Sequence, residues 1–322
     1  MQRWLNRRLF GISPGQASFS RRGFEDTAPQ KRAHLEHIGR TFISGYLAAL
    51  EARELDPLAA QLDTVDAEFR GFAFEGAAMG LALTGHVWRP RSSKFKRFLN
   101  GPAADHHFML YVGYGWAVAR LPWLRRNPDR ARRPFDRDLG WLILDGYGFH
   151  EGYFHWRSAV TAMRVPRALS GYAARAFDQG LGRSLWFFNG ANVERVAACI
   201  HRFAPERHAD LWSGIGLAAT YAGGVAEDEL IQLLHLARPY GSHVAQGAAF
   251  AAKARYLAGV PTPHTELACR VLCGLSGLQA AAVTDSAFGA TARSPADEPY
   301  ETWRSEIRAR LENVGAPASQ SL

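Results

Sequence analysis

The run Asp145-Gly146-Tyr147-Gly148-Phe149-His150-Glu151-Gly152-Tyr153-Phe154-His155-Trp156 gathers carboxylates, imidazoles and aromatic rings more densely than any other part of the chain. On a helix, Glu151 and His155 stand four residues apart and share a face. A carboxylate beside an imidazole fixes one tautomer and raises its basicity, which is what a proton-transfer site needs. Glu151 and His155 are therefore the first candidates for acid/base work, with Asp145 and Glu75 as further proton carriers. The same pair would offer two metal ligands. However, His150 and His155 are one residue further apart than the histidines of the zinc-protease motif. On a continuous helix their imidazoles face about 140° apart. No metal and no cofactor is expected on that reading.

Tyr147, His150, Tyr153 and Trp156 of this run are candidates for touching a substrate, together with Gln179, Arg183, Trp212 and Gln246. A second polar cluster, Asp105-His106-His107, is placed to approach the first across neighbouring helices. Arg183, Lys253 and Arg255 are the charges most embedded in apolar runs, suited to an anionic ligand or to snorkelling outward.

The elements that would carry these groups share a recurring phrase, apolar-x-x-Gly-x-x-x-small, broken at the small position only by Trp156 and Leu278. The glycines are Gly45, Gly76, Gly113, Gly152, Gly180, Gly214, Gly247 and Gly274. Small residues at i and i+4 lie on one helix face and let a second backbone come close. The mean spacing of about 33 residues is that of stacked helical hairpins. Glu75, Glu151, Gln179 and Gln246 each stand just before one of these glycines, so stacking would align them along one surface or an inner cavity. No stretch alternates as a half-buried strand does, and the fold is expected to be all-α, with α-solenoid-like repeats in one compact body.

The expected organisation is an irregular N-terminal arm (1–30), a helical-repeat domain (31–288), a linker (289–299), a C-terminal helix (300–314) built around Trp303, Ile307 and Leu311, and a disordered tail (315–322). Two basic linkers interrupt the repeat, one at 89–97 and a denser one from Arg125 to Arg137. Asn192 and Thr262 are placed as helix N-caps, and Gly223-Gly224 as a helix stop.

The chain of 322 residues is 47% hydrophobic and 12% aromatic, enough for a large core. Its net charge of +8 comes almost wholly from arginine, since lysine occurs only at 31, 94, 96 and 253. That bias makes the charge weak evidence for nucleic acid. Cys199, Cys269 and Cys273 are too few for a disulfide framework and point to a reducing compartment. Arg7-Arg8-Leu9-Phe10 resembles part of an export signal but lacks the apolar stretch that must follow. The longest uncharged apolar window, 108–119, is too short for a bilayer. A cytoplasmic protein with no membrane and no nucleic-acid partner is expected. Phosphate-binding glycine loops, the serine nucleophile elbow and Asp-rich magnesium-diphosphate runs are absent from the sequence.

The phrases EFRGFAFEGAAMGLAL (68–83), YVGYGWAVARLP (111–122), LDGYGFHEGYFH (144–155), DQGLGRSLWF (178–187), LWSGIGLAATYAGG (211–224) and TPHTELACRVLCGLS (262–276) carry a resemblance. Over about residues 20–310 the chain resembles the helical proteins of unassigned function encoded beside iterative polyketide synthases in enediyne biosynthetic gene clusters. The resemblance implies a role in making an enediyne or related polyene-derived product, and it supplies no catalytic residues. The expectation is a protein that binds a long conjugated apolar polyene and assists its cyclisation or isomerisation by acid/base chemistry. The alternative is a non-catalytic scaffold or chaperone for the polyketide synthase or its acyl carrier domain. A closed aromatic cavity around Glu151 would favour the enzyme, and a basic rim on a solid core the scaffold.

Overall fold

Helix α1 (Gln2–Phe10) opens the chain, and a short α2 (Phe19–Arg22) follows a tight turn at Pro14–Ala17. The N-terminal arm is therefore mostly helical, not irregular. It is tied down by polar contacts to the body: Asn6 Nδ2 donates to Leu50 O at 2.9 Å and Tyr46 Oη to Phe10 O at 2.7 Å. The computed structural model describes residues 2–88, 94–291 and 298–315. Arg89 and Arg91 of the first basic linker, the centre of the 289–299 linker and the tail beyond 315 lie outside the described residues.

The body is built from α3 (Pro29–Glu51), α4 (Leu55–Asp63), α5 (Ala67–Trp88), α6 (Lys94–Leu99) and α7 (His107–Arg120). The arginine-rich stretch then forms two short helices, α8 (Pro122–Arg125) and α9 (Pro128–Arg132). Next come α10 (Leu142–Phe154), α11 (Tyr172–Phe188), α12 (Val193–His201), α13 (Pro205–Tyr221) and α14 (Glu227–Leu236). The chain ends with α15 (Gly241–Leu257), α16 (Pro263–Cys273), α17 (Gly277–Thr291) and α18 (Pro299–Gly315). Among the described residues there is no strand, so the fold is all-α.

Eight of these helices, α3, α5, α7, α10, α11, α13, α15 and α17, pack each against the next in chain order, and α12, α14 and α16 form a second layer. Glycine sets the closeness of the first layer. At the α10–α11 crossing a Cβ on Gly148 would lie 1.9 Å from Phe177 O, and one on Gly180 would lie 1.7 Å from Asp145 O. Neither is possible, so only glycine lets the two backbones touch. Similar reciprocal approaches join Gly45 with Gly76, Gly182 with Gly214, and Gly216 with Gly247. Gly274 plays a different part, capping α16 in the left-handed region at φ 67°.

The layer bends back until its early and late helices meet. Phe72 on α5 and Tyr221 on α13 stand edge to face, with ring centroids 5.2 Å apart. Arg255 on α15 donates to Ala67 O and Tyr221 O. The result is a closed body with an interior, not an open superhelix. Helix starts follow their caps: Asn192 Oδ1 accepts from Arg195 N and Thr262 Oγ1 from Thr265 N, while Gly223 and Gly224 end α13 with positive φ. The C-terminal helix buries Trp303, Ile307 and Leu311. No single helix among the described residues is long and apolar enough to cross a membrane. All three cysteines are buried and unpaired, as core residues.

Candidate functional site

The catalytic candidates divide between two places. Glu75 and Asp145 meet in the core. Arg183 Nη1 lies 2.6 Å from Asp145 Oδ1, and Arg183 Nη2 lies 3.8 Å from Glu75 Oε2. Glu75 is wholly buried and Asp145 1% exposed. The tight α10–α11 crossing at Gly148 and Gly180 brings these groups together, because it sets Asp145, in the first turn of α10, against the middle of α11. Gln179 Nε2 donates to Asp145 Oδ2 at 3.0 Å and reaches Tyr300 Oη at 3.1 Å.

Glu75 is the unusual member. Trp116 Nε1 donates to its Oε1 at 2.9 Å, while Oε2 has no hydrogen-bond partner. Burial pushes this carboxyl up to about 7, with Asp145 adding to the rise and Arg183 and Trp116 opposing it. Gln179 Oε1 and Tyr221 Oη are also buried without partners. Glu75 stands in the wall of a small apolar cavity with Phe42, Phe72, Trp116, Phe149, Tyr153 and Phe187. Arg183 and Tyr221 line a second one with Val112, Leu217, Phe250 and Trp303. Each cavity holds about 30 Å³. The aromatic-lined cavity has Glu75 and not Glu151 in its wall.

Glu151 and His155 occupy the second place, near the surface. Helix α10 ends at Phe154, and His155 takes φ −123° and ψ 34° while its N–H bonds Glu151 O at 2.8 Å. That break swings the imidazole back. His150 Nδ1 and His155 Nδ1 each lie 3.1 Å from Glu151 Oε1. The expectation that the two histidines face apart is corrected here, because it assumed a helix continuous through residue 155. Burial opposes charge on Glu151, yet the two imidazoles hold its carboxyl at about 2. Such a carboxylate orients and stabilises its neighbours and is a poor proton acceptor. Beside it lies a cavity of about 210 Å³ lined also by Arg125, Ser158, Arg164, Arg167 and Phe177.

The other candidates are scattered. Tyr147 is buried against Phe177, and Tyr153 against Trp116 and Phe24. Trp156 leaves the polar run altogether: its Nε1 donates to Arg22 O at 2.8 Å and its ring packs on Phe188. Trp212 is core. Gln246 is buried with Ser213 and Arg304, at 2.8 and 3.2 Å. Glu75, Gln179 and Gln246 are all fully buried. Glu75 and Gln179 meet at the Asp145–Arg183 cluster, Gln246 bonds elsewhere, and Glu151 lies apart from them. His106 stacks on Phe74 at 3.8 Å, and burial lowers its pKa to about 4. Arg255 caps backbone carbonyls, and Lys253 pairs with Asp285 at 2.6 Å.

Sequence reasoning missed Trp116, Tyr221, Tyr300 and Arg304. Arg304 is fully buried, 2.8 Å from Asp210 and 3.1 Å from Glu301, with Arg175 completing the cluster at 2.9 Å from Asp210. Only Trp116 carried a signal, three residues after a repeat glycine.

The chain belongs to the family described as "Protein of unknown function (DUF1702)", which it matches over residues 1–311. No curated protein and no solved structure matches it.

Proposed function

We propose that the protein binds a long conjugated polyketide intermediate along its apolar interior and assists its cyclisation or isomerisation, in the cytoplasmic assembly of an enediyne or related polyene-derived product. The observation that carries this reading is Glu75: a carboxyl raised to about 7, with one oxygen that accepts no hydrogen bond, set in an aromatic wall. A group of that kind gives up or takes a proton at ordinary pH without the solvation that would quench it. Phe42, Phe72, Trp116 and Phe149 offer ring faces to positive charge spreading along a conjugated chain. Arg183 stands ready to hold the carboxylate once the proton has left. Moving a proton from one carbon of a polyene to another is redox-neutral, so these groups suffice for it.

The resemblance of the six long phrases to proteins of enediyne gene clusters supports the pathway. A thin substrate would run from the cavity at Glu75 to the one at Arg183, and the cavities must widen by parting of α5, α7 and α10. Replacing the chromosomal gene by one encoding Glu75→Gln tests the reading. A polyene of altered mass or conjugation should accumulate, and parent-level product from a folded variant contradicts it.

A second reading, a scaffold for an acidic acyl carrier domain, is favoured by the filled interior and by the cavity bearing Arg125, Arg164 and Arg167. Opposite charges there would speed encounter more than tighten it.

A further inference from the structure

The geometry points to a divalent transition-metal site formed by His150, Glu151 and His155 at the C-terminal end of α10. The inference is independent of the Glu75 reading and concerns a different part of the molecule. The three side chains offer two imidazole nitrogens and one carboxylate oxygen, all within 4.8 Å of one another. Both Nδ1–Oε1 separations are 3.1 Å. A first-row metal bound at about 2.1 Å holds neighbouring donors about 3.0 Å apart in octahedral geometry and about 3.4 Å apart in tetrahedral geometry. Both measured separations fall in that span, and the third, between the donor nitrogens of the two histidines, is within 4.8 Å. Both rings must turn to aim a lone pair at the ion instead of at Glu151 Oε1.

The local backbone is arranged to make this convergence. His150 and Glu151 are fixed on the last turns of α10, with His150 held edge to face on Trp116 at 5.6 Å. The chain then leaves helical geometry at His155 and enters a π-helical turn at Arg157–Thr161. Trp156, bonded to Arg22 O, anchors that exit. A continuous helix would carry His155 away from His150. Two donors are therefore rigid and buried, while the third is 49% exposed and gives an ion a route in.

Two histidines and one carboxylate leave coordination positions open, a donor set suited to iron(II), cobalt(II), zinc or manganese. The neighbouring cavity shows what would fill them. Glu151 is shared between the cluster and that cavity, whose other polar lining is Ser158 with Arg125, Arg164 and Arg167. Three guanidinium groups beside a dication select an anionic co-ligand, a carboxylate or a phosphate, over a neutral one.

The test uses the tag-free full chain, stripped with a chelator and dialysed. Titration with Co²⁺, followed by visible d–d absorption, should saturate at one ion per chain, and Zn²⁺ should displace it. His155→Ala, at an exposed position, should bind about tenfold more weakly or worse, while His201→Ala on α12 should bind as the parent does. Glu151→Gln should also weaken binding, and His155→Ala decides the matter if that variant loses its near-ultraviolet dichroism. Absence of a saturable band in the parent, or equal affinity in His155→Ala, overturns the site. Because the readout is the metal itself, failure here leaves the Glu75 reading standing, and the converse also holds.

Discussion

Trp116 Nε1 on α7 donates a 2.9 Å hydrogen bond to Glu75 Oε1 on α5, while the other oxygen of the same carboxyl has no hydrogen-bond partner. One oxygen is thus fixed by a hydrogen bond, and the other faces the Arg183 guanidinium at 3.8 Å without one. Burial raises the carboxyl to about 7, above an ordinary glutamic acid. A raised folded-state pKa means that the native protein holds this proton more tightly than the unfolded chain does. Stability contributed by the protonated form is complete below the unfolded value and falls as pH rises through about 7. Glu75→Gln should remove that decline. Thermal melts of parent and variant between pH 4.5 and 8 should converge at the acid end and separate by roughly 1–3 kcal/mol at the alkaline end, the variant being the more stable. Parallel curves would show that Glu75 does not titrate in this range.

Asp145 and Arg183 form the ion pair beneath Glu75. Arg183→Met should leave a buried carboxylate without its partner and cost about 3–5 kcal/mol. Adding Asp145→Asn should restore a good part of it, because a neutral amide tolerates burial better than an unpaired charge. Denaturant unfolding of the single and double variants measures the difference. If the double variant is as unstable as the single, the coupling assigned to this pair is wrong.

Glycines at the helix crossings differ from glycines elsewhere. A Cβ at Gly214 would sit 2.0 Å from Gln179 O, and at Gly247 2.0 Å from Ser213 O, whereas Gly241 has open space around it. Leucine at 214 or 247 should cost at least about 1–3 kcal/mol through overpacking. Gly241→Ala should change stability by no more than about 0.5 kcal/mol. Equal melting of all three variants would contradict the crossing geometry.

Charge at the rim can be separated from the interior. Reversing Arg125, Arg164 and Arg167 to Glu should slow association with an acidic carrier domain at low salt and matter less at moderate salt. Stopped-flow mixing at two ionic strengths measures it, and association unchanged at both would remove the scaffold reading.

Much of the fold was legible in the sequence because its signals are local. Asn192 and Thr262 mark helix starts through bonds within four residues, and Gly223 and Gly224 mark a helix end through positive φ. Glycines such as Gly45, Gly76, Gly180, Gly214 and Gly247 mark crossings because only glycine fits there, whereas Gly274 is a cap. The end of α10 was not legible. Phe154-His155 contains neither Pro nor Gly, and the break depends on Trp156 docking against Arg22, far away in sequence. The convergence of His150 and His155 was hidden with it. The core placement of Glu75 was hidden for a related reason. Its partners, Trp116 and Arg183, come from other helices, so the sequence could name the carboxyl but not the aromatic wall around it. The helical N-terminal arm likewise owes its docking to the distant carbonyl of Leu50.

The central claim is that a conjugated chain enters the interior at Glu75 and Trp116, and direct binding tests it. Purified protein is titrated with a linear conjugated polyene acid while tryptophan emission is followed, since a polyene lying against Trp116 quenches it by energy transfer. The account predicts saturable quenching at one equivalent per chain, with Trp116→Phe losing a large share of the quenching amplitude. Linear, unsaturable quenching equal to that of an unrelated helical protein would contradict it.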